Sequence, residues 1–146
     1  ALCNIQQVKD GGLLLLAPTG KARVRLEQAT GMTKEGQTIA QFLLRYGRYE
    51  GQTGRYIVDN DAEKCSNRKT VVIDECSMLT EEQLAALLSG LRGVERLVLV
   101  GDPQQLPPIG AGRPFVDIVR ILRPDDYESA FPQVTSGYAG LTVPRR

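Results

Sequence analysis

The sequence predicts an α/β protein built on a parallel sheet sandwiched by helices. Three runs that are mostly apolar or β-branched predict strands over residues 13–17, 70–74 and 96–101. The second run does not alternate between apolar and polar side chains, which is typical of a strand covered on both faces, and the first run also predicts a buried strand. Segments with helical features lie between the runs, and this alternation indicates a parallel sheet with right-handed crossovers.

The composition fits one globular domain, with 42% hydrophobic and 24% charged residues in a chain of 146. The longest apolar run is too short to cross a bilayer, and the first residues lack the order of a signal peptide. Three cysteines do not suggest a disulfide framework, so we expect a cytoplasmic protein without membrane contact. Histidine is absent, which excludes Ser-His and Cys-His catalytic pairs.

The net charge of +1 is unevenly distributed along the chain. Residues 1–69 contain eleven Lys/Arg against seven Asp/Glu, and residues 70–146 contain seven against ten. A weakly basic first half could face a nucleic acid backbone, although chance variation gives the same asymmetry.

Caps and breakers predict where the first helices begin and end. Apolar residues spaced by three over residues 1–9 are typical of the last turns of a helix, so the chain is expected to begin inside an element. After the first strand, a helix is predicted from Lys21 to about Ala29, and Gly31 would close it. Thr38 would cap a short helix that ends at Leu44.

The second half follows the same alternation. Residues 45–68 are polar and rich in glycine, which predicts a loose hairpin or surface insertion. A helix is predicted near residues 80–89, with Leu84, Leu87 and Leu88 facing the core. Another helix is predicted from Pro114 to Leu122, followed by an irregular tail.

Two adjacent carboxylates, Asp74 and Glu75, stand at the end of the second predicted strand. In open α/β sheets, ligands bind just beyond the carboxyl ends of the strands. There Asp74 could hold the magnesium ion of a nucleoside triphosphate, and Glu75 could polarise the attacking water. The alternative is a strand-to-helix turn in which Asp74, Glu75 or Ser77 lies near the N-terminus of the next helix.

The turn at residues 17–22 is not a P-loop, although Gly20-Lys21 looks like the end of one. The pattern Gly-x4-Gly-Lys-Ser/Thr would need a glycine at Leu15 and a hydroxyl at Ala22. A turn that opens a helix still presents free N–H groups and a positive dipole end. With Thr19 and Lys21 it suits a phosphate of single-stranded DNA or RNA, or else it is only a capped helix with a solvated basic face.

The loop after the third strand contains Gln105 among prolines and glycines. A glutamine on a stiff loop at the carboxyl edge could touch a terminal phosphate and report whether it is present. The alternative is a rigid connector whose prolines only direct the chain.

Three strings together resemble superfamily 1 DNA helicases, most closely the RecD-like branch that includes exonuclease V alpha subunits and relaxase helicases. They are Ala-Pro-Thr-Gly-Lys-Ala from residue 17, Val-Val-Ile-Asp-Glu-Cys-Ser-Met-Leu from residue 71, and Leu-Val-Leu-Val-Gly-Asp-Pro-Gln-Gln-Leu-Pro-Pro-Ile-Gly-Ala-Gly-Arg-Pro-Phe from residue 97. The resemblance implies a RecA-like P-loop NTPase domain that uses ATP and Mg²⁺ to move along single-stranded DNA.

The resemblance also implies roles for matching positions. DNA contacts would come from Pro18, Thr19, Gly20, Lys21 and Thr38. Asp74 would be the magnesium ligand, Glu75 would activate the hydrolytic water, and Gln105 would link the γ-phosphate to DNA movement. The last six residues resemble the start of a motif whose arginine contacts the γ-phosphate, which places that arginine at Arg146, with Arg145 as the alternative.

The sequence departs from the family pattern at several points. Thr38-Ile39-Ala40 stands where the family often has Thr-Ile-His, so any role of that histidine is absent. Cys76 stands where the family usually has alanine and is expected to be buried packing.

The P-loop, one helix upstream in the family, and the second RecA-like domain are not in the sequence. We therefore expect residues 1–146 to be one partial motor domain, with an α/β core over 1–122, the insertion at about 45–68 and the tail over 123–146. Alone it would be inactive, and its partners would be single-stranded DNA, the second domain and nuclease or helicase subunits.

Two other functions stay open: a nucleic-acid-dependent ATPase that does not unwind, and a nucleic-acid-binding module with a degenerate nucleotide site. The intact Asp74-Glu75 pair counts against a degenerate site. Strand displacement by the whole protein distinguishes the first alternative from a helicase.

Overall fold

Four parallel strands form the central sheet of the computed structural model, which describes residues 8, 10–33, 35–106, 108–124, 134–135 and 137–141. In chain order the elements are β1 (Leu13–Ala17), α1 (Gly20–Thr30), β2 (Gly36–Thr38), α2 (Ile39–Arg45), β3 (Tyr49–Glu50), β4 (Arg55–Tyr56), β5 (Thr70–Ile73), a 3₁₀ turn (Cys76–Met78), α3 (Glu81–Ser89), β6 (Arg96–Leu99) and α4 (Pro114–Leu122). The order of strands in the sheet is β2-β1-β5-β6.

Helices cover both faces of the sheet at β1 and β5, whereas the edge strand β6 is only partly covered, with Leu97 41% exposed. On one face Leu13 and Leu15 of β1 pack with Val72 of β5 and with Leu26 of α1. The opposite face holds the larger cluster, in which β1 and β5 meet residues of α2, α3 and α4; its members include Leu14, Leu16, Val71, Ile73, Phe42, Leu43, Leu87 and Phe115. The predicted α/β sandwich is therefore confirmed.

The helices begin where their capping residues predict. The Thr19 side chain accepts a hydrogen bond from the Ala22 amide at 3.2 Å, and Gly31 ends α1 in the left-handed conformation. Thr38 forms a capping box with Gln41 at the start of α2. The same residue ends β2, so the strand leads directly into the helix.

Strand β2 was not predicted, because Gly36-Gln37-Thr38 contains no apolar run. It forms through tertiary contacts: it pairs with the last residues of β1, and the Gly36 amide donates to the buried carboxylate of Glu27 at 2.9 Å. The side chain of Leu88 also departs from the prediction. It is 43% exposed, whereas Leu84 and Leu87 are buried.

A hairpin lies within residues 45–68, as predicted, but the residue that precedes its first strand is not on the surface. Strands β3 and β4 pair, while Arg48 just before them is completely buried. The Arg48 guanidinium donates to the carbonyl of Tyr46 at 2.8 Å, to the hydroxyl of Ser89 at 3.0 Å and to the carbonyls of Glu63 and Ser89 at 3.2 Å. One side chain therefore joins both ends of the hairpin segment to α3.

The helix predicted over residues 1–9 lies outside the described residues except for Val8, which is buried in the cluster around Leu13 and Leu15. Arg145 and Arg146 also lie outside them. In the described part of the chain, no helix is long and apolar enough to cross a membrane.

We expect Arg48→Ala to lower the free energy of unfolding by about 2–4 kcal/mol, because it leaves a cavity and several buried carbonyls without a donor. Urea denaturation measures this change. Arg55→Ala, which removes an exposed arginine from the same hairpin, is the control and should change stability by less than about 0.5 kcal/mol. Equal effects of the two substitutions would contradict a structural role for Arg48.

Candidate functional site

The carboxyl ends of three strands meet at one edge of the sheet. Leu16 pairs with Ile73, and Ala17 pairs with Thr38. Beyond the strand ends, the Asp74 amide donates to the Leu16 carbonyl at 2.9 Å. The segments that follow β1 and β5 therefore leave the sheet side by side, with the end of β2 next to them.

The backbone turns sharply at Glu75. Its φ of 53° and ψ of 40° lie in the left-handed region, and among the described residues it is the one non-glycine residue with positive φ. Such a conformation is strained for a side chain other than glycine, and strained residues cluster at functional sites. The Asp74 carboxylate accepts the Glu75 amide at 2.9 Å, which supports the turn. Both carboxylates are half-buried.

The 3₁₀ turn after Glu75 is fixed to the end of β5 and to the residue that follows β6. The Cys76 amide donates to the Val100 carbonyl at 2.8 Å, and the Cys76 thiol donates to the Ile73 carbonyl at 3.1 Å. Burial raises the pKa of the Cys76 thiol to about 12, so the thiol stays protonated at neutral pH. Cys76 thus fills the core beneath the carboxylates, in agreement with the expectation from the sequence.

Gln105 is joined to this turn by a side-chain contact. The buried hydroxyl of Ser77 donates to the Gln105 carboxamide oxygen at 3.1 Å, although Gln105 itself is exposed. The backbone of the loop comes close as well: a Cβ atom added at Gly101 would lie 3.0 Å from the Ser77 nitrogen and from the ring of Phe115. Glycine at this position lets the loop pack on the segment that follows Asp74.

The turn between β1 and α1 can hold an anion. Thr19 binds the amides of Ala22 and Arg23 through its hydroxyl and its carbonyl. The preceding amides, of Gly20 and Lys21, receive no partner from Thr19 and stand at the positive end of α1. Thr19, Gly20 and Lys21 are exposed and Pro18 is half-buried, so a ligand could reach this turn.

Along the carboxyl edge the residues thus occur in the order Thr38, Pro18 to Lys21, Asp74 with Glu75, and the Gln105 loop. The structure brings together each site residue that was predicted, except Arg146, which lies outside the described part of the chain. The sequence interpretation considered Ser77 only as a residue near a helix N-terminus. Its actual partner lies 28 positions away, a contact that no local pattern indicates.

The donor set at this edge fits magnesium bound together with a phosphate. In the described residues no group of three or more His, Cys, Asp or Glu could hold a metal ion alone. Magnesium at phosphate sites needs only one or two carboxylates, since phosphate oxygens and water complete its shell. Neither Asp74 nor Glu75 is among the ion pairs formed by described side chains, so a cation would balance their charge.

Comparison with known proteins shows which family the chain resembles. A family model for the AAA domain matches residues 2–127. The RecBCD enzyme subunit RecD of Mycolicibacterium smegmatis is 32% identical over 119 residues, which are 75% of this chain and 22% of that protein. The ATP-dependent RecD2 DNA helicase of Deinococcus radiodurans is 34% identical over 106 residues, 73% of this chain and 13% of that protein.

A third relative is the conjugal transfer protein TraA of Agrobacterium fabrum, 35% identical over 119 residues, which are 80% of this chain. The resemblance to the RecD-like branch is confirmed by these similarities. The chain spans between 10% and 22% of the length of the three relatives.

We expect Glu75→Gly to raise the free energy of unfolding by about 1 kcal/mol, because glycine adopts the left-handed conformation without strain. Urea denaturation compares it with Glu75→Gln, which keeps the side chain and should give no such gain. A loss of stability in Glu75→Gly would mean that contacts of the carboxylate outweigh the backbone strain.

Proposed function

The chain belongs to the AAA domain family, and from this premise we propose that it is part of an ATP-dependent DNA helicase or translocase. One observation carries the proposal: a single sheet edge holds two adjacent carboxylates, of which Glu75 is in a strained conformation, a glutamine loop bonded to the same turn, and a helix N-terminus that can bind an anion. A motor must hold a nucleotide and a nucleic acid strand close together, and this edge offers both kinds of site.

In the proposed reaction Glu75 orients the attacking water and accepts its proton as the water oxygen bonds to the γ-phosphorus of ATP; the bond from that phosphorus to the β–γ bridging oxygen breaks, and ADP leaves with the bridging oxygen. Asp74 would hold the magnesium ion, which neutralises charge that develops on the phosphate oxygens. Because Glu75 follows Asp74 directly at a sharp turn, the two carboxylates can face different partners. In this arrangement Glu75 can act as the base while Asp74 acts as the metal ligand.

Gln105 is proposed to contact the γ-phosphate and to respond to its loss. Its loop leaves the sheet next to the carboxylates, and the Ala111 carbonyl at the far end of the loop accepts the Glu81 amide at 3.2 Å. The loop therefore lies across the segment from Glu75 to Glu81. A change at the nucleotide can reach the rest of the domain through this packing.

The strand of DNA is proposed to bind at the start of α1. A phosphate there would meet the amides of Gly20 and Lys21, the Lys21 ammonium and the Thr19 hydroxyl. Pro18 shapes the turn, and Thr38 on β2 extends the contact. This position is adjacent to Asp74 because β1 and β5 are paired neighbours.

The described edge lacks a P-loop, so the cradle for the other phosphates is proposed to come from elsewhere in a longer protein. A second motor lobe and Arg146 would close over the nucleotide. Nuclease or helicase subunits are candidate partners, since one relative is named as a subunit of the RecBCD enzyme. The present chain alone should therefore hydrolyse ATP very slowly.

The test is ATP hydrolysis by the full-length protein, with and without single-stranded DNA. We expect strong stimulation by DNA, and we expect Glu75→Gln to bind ATP while its turnover falls by roughly 10²- to 10⁴-fold. Near-normal turnover in Glu75→Gln would remove the base from its proposed role. Hydrolysis that ignores DNA would leave an ATPase without a strand-coupled motor, and no hydrolysis would favour a binding module.

Lys21→Ala should weaken the binding of single-stranded DNA. It should also reduce the slope of log K against log salt concentration by about one, because one fewer counterion is released on binding. Fluorescence anisotropy of a labelled oligonucleotide at several salt concentrations measures both. Lys69→Ala is the control for charge far from the proposed contact, because Lys69 is an exposed lysine just before β5, at the opposite edge of the sheet, where its ammonium pairs with Glu95. If both variants keep the original salt slope, the start of α1 is not the DNA contact.

A further inference from the structure

Ser77 makes a contact that the proposed reaction does not yet use. The residue is only 7% exposed, and its hydroxyl donates to the carboxamide oxygen of the exposed Gln105 at 3.1 Å. An exposed glutamine samples many rotamers unless a partner holds it. Here the partner belongs to the turn that begins at Glu75.

The Ser77 side chain is a fixed donor because its backbone is held on both sides. The amide of Met78 donates to the Glu75 carbonyl at 3.0 Å, and the amide of Cys76 donates to the Val100 carbonyl at 2.8 Å. The close approach of Gly101 to the Ser77 nitrogen leaves the turn little room to shift. The backbone from which the hydroxyl extends is thus held in place relative to the carboxylate pair.

The direction of this hydrogen bond decides which end of the carboxamide remains available. A serine hydroxyl that donates to the oxygen leaves both hydrogens of the Gln105 amide group for another acceptor. A phosphate oxygen accepts hydrogen bonds and repels a carbonyl oxygen, so only this orientation suits a γ-phosphate. The opposite orientation would present the wrong end of the side chain.

We propose that Ser77 is a positioning residue that holds Gln105 with its amide group directed to the γ-phosphate of bound ATP. This rests on the proposed function, because it assigns a role within the same nucleotide site. Ser77 does not touch the substrate in this scheme and acts only through Gln105. Its loss should therefore affect the hydrolytic step more than the binding of ATP.

The test is DNA-stimulated ATP hydrolysis by the full-length protein carrying Ser77→Ala, Gln105→Ala or both substitutions. We expect Ser77→Ala to lower kcat by roughly 2- to 10-fold, the effect of one neutral hydrogen bond, with KM for ATP nearly unchanged. Gln105→Ala should lower kcat further. The double variant should be no slower than Gln105→Ala, because Ser77 has no role without its partner.

Ser89→Ala is the matched control, because the Ser89 hydroxyl also makes hydrogen bonds, accepting one from the Arg48 guanidinium and donating one to the Ala86 carbonyl, but lies away from the carboxyl edge. It should keep the original kcat at temperatures where it is folded. Ser77→Cys keeps the volume and weakens the donor, so it should reproduce the loss even if Ser77→Ala does not fold. Ser77→Thr, which keeps the hydroxyl, should restore kcat.

Two results would overturn the positioning role while leaving the proposed function intact. In the first, the decrease in kcat of the double variant is the product of the decreases in the two single variants. In the second, Ser77→Ala and Ser77→Cys keep the kcat of the wild type. A wild-type protein that hydrolyses no ATP would instead overturn the proposed function, and the role of Ser77 with it.

Discussion

The parallel pairing of β1 with β5 is the constraint on which the rest of the structure depends. The register that places Leu16 opposite Ile73 brings the turn before α1 next to the carboxylates after β5. A shift of one residue would move every side chain of a strand to the other face of the sheet. Because both faces are packed, with Leu15 and Leu16 fully buried on opposite sides, neither strand can slip without exposing core residues.

The sheet also supports the strained turn at Glu75. A left-handed glutamate is unfavourable by itself, yet the residues around it are bonded to both neighbouring strands: Asp74 to Leu16 of β1, and Cys76 to Val100 beyond β6. These bonds and the buried Cys76 side chain over-determine the path of the backbone, so the strain persists. The backbone strain is therefore concentrated at Glu75, the residue that we propose as the base in ATP hydrolysis, while the core beneath it consists of buried apolar side chains.

Strands β1 and β5 and helices α1 and α2 could be predicted from the sequence because their signals are local: unbroken apolar runs for the strands, the glycine at position 31 that ends α1, and Thr38 followed three residues later by Gln41 at the start of α2. Strand β2 and buried Arg48 could not. Residues 36–38 form a strand only because β1 and the Glu27 carboxylate accept or donate the hydrogen bonds of their backbone. Arg48 is buried in the core only because carbonyls of segments distant in the sequence accept its hydrogen bonds. The edge location of Asp74 and Glu75 was predictable, since all strands of a parallel sheet end together.

The contact between Ser77 and Gln105 also joins residues that are far apart in the sequence, so it could not be predicted. It links the carboxylates at the carboxyl edge of the sheet to the glutamine loop. Without it, the exposed side chain of Gln105 would lack this link to the turn that contains Glu75. With it, a displacement of the carboxamide acts on the turn that contains Glu75, and a displacement of that turn acts on the loop. Because Gly101 and Ala111 hold the loop at both ends against the same segment, the coupling needs no large motion of the sheet. A nucleotide bound at this edge would therefore act on the same turn to which we assign its hydrolysis.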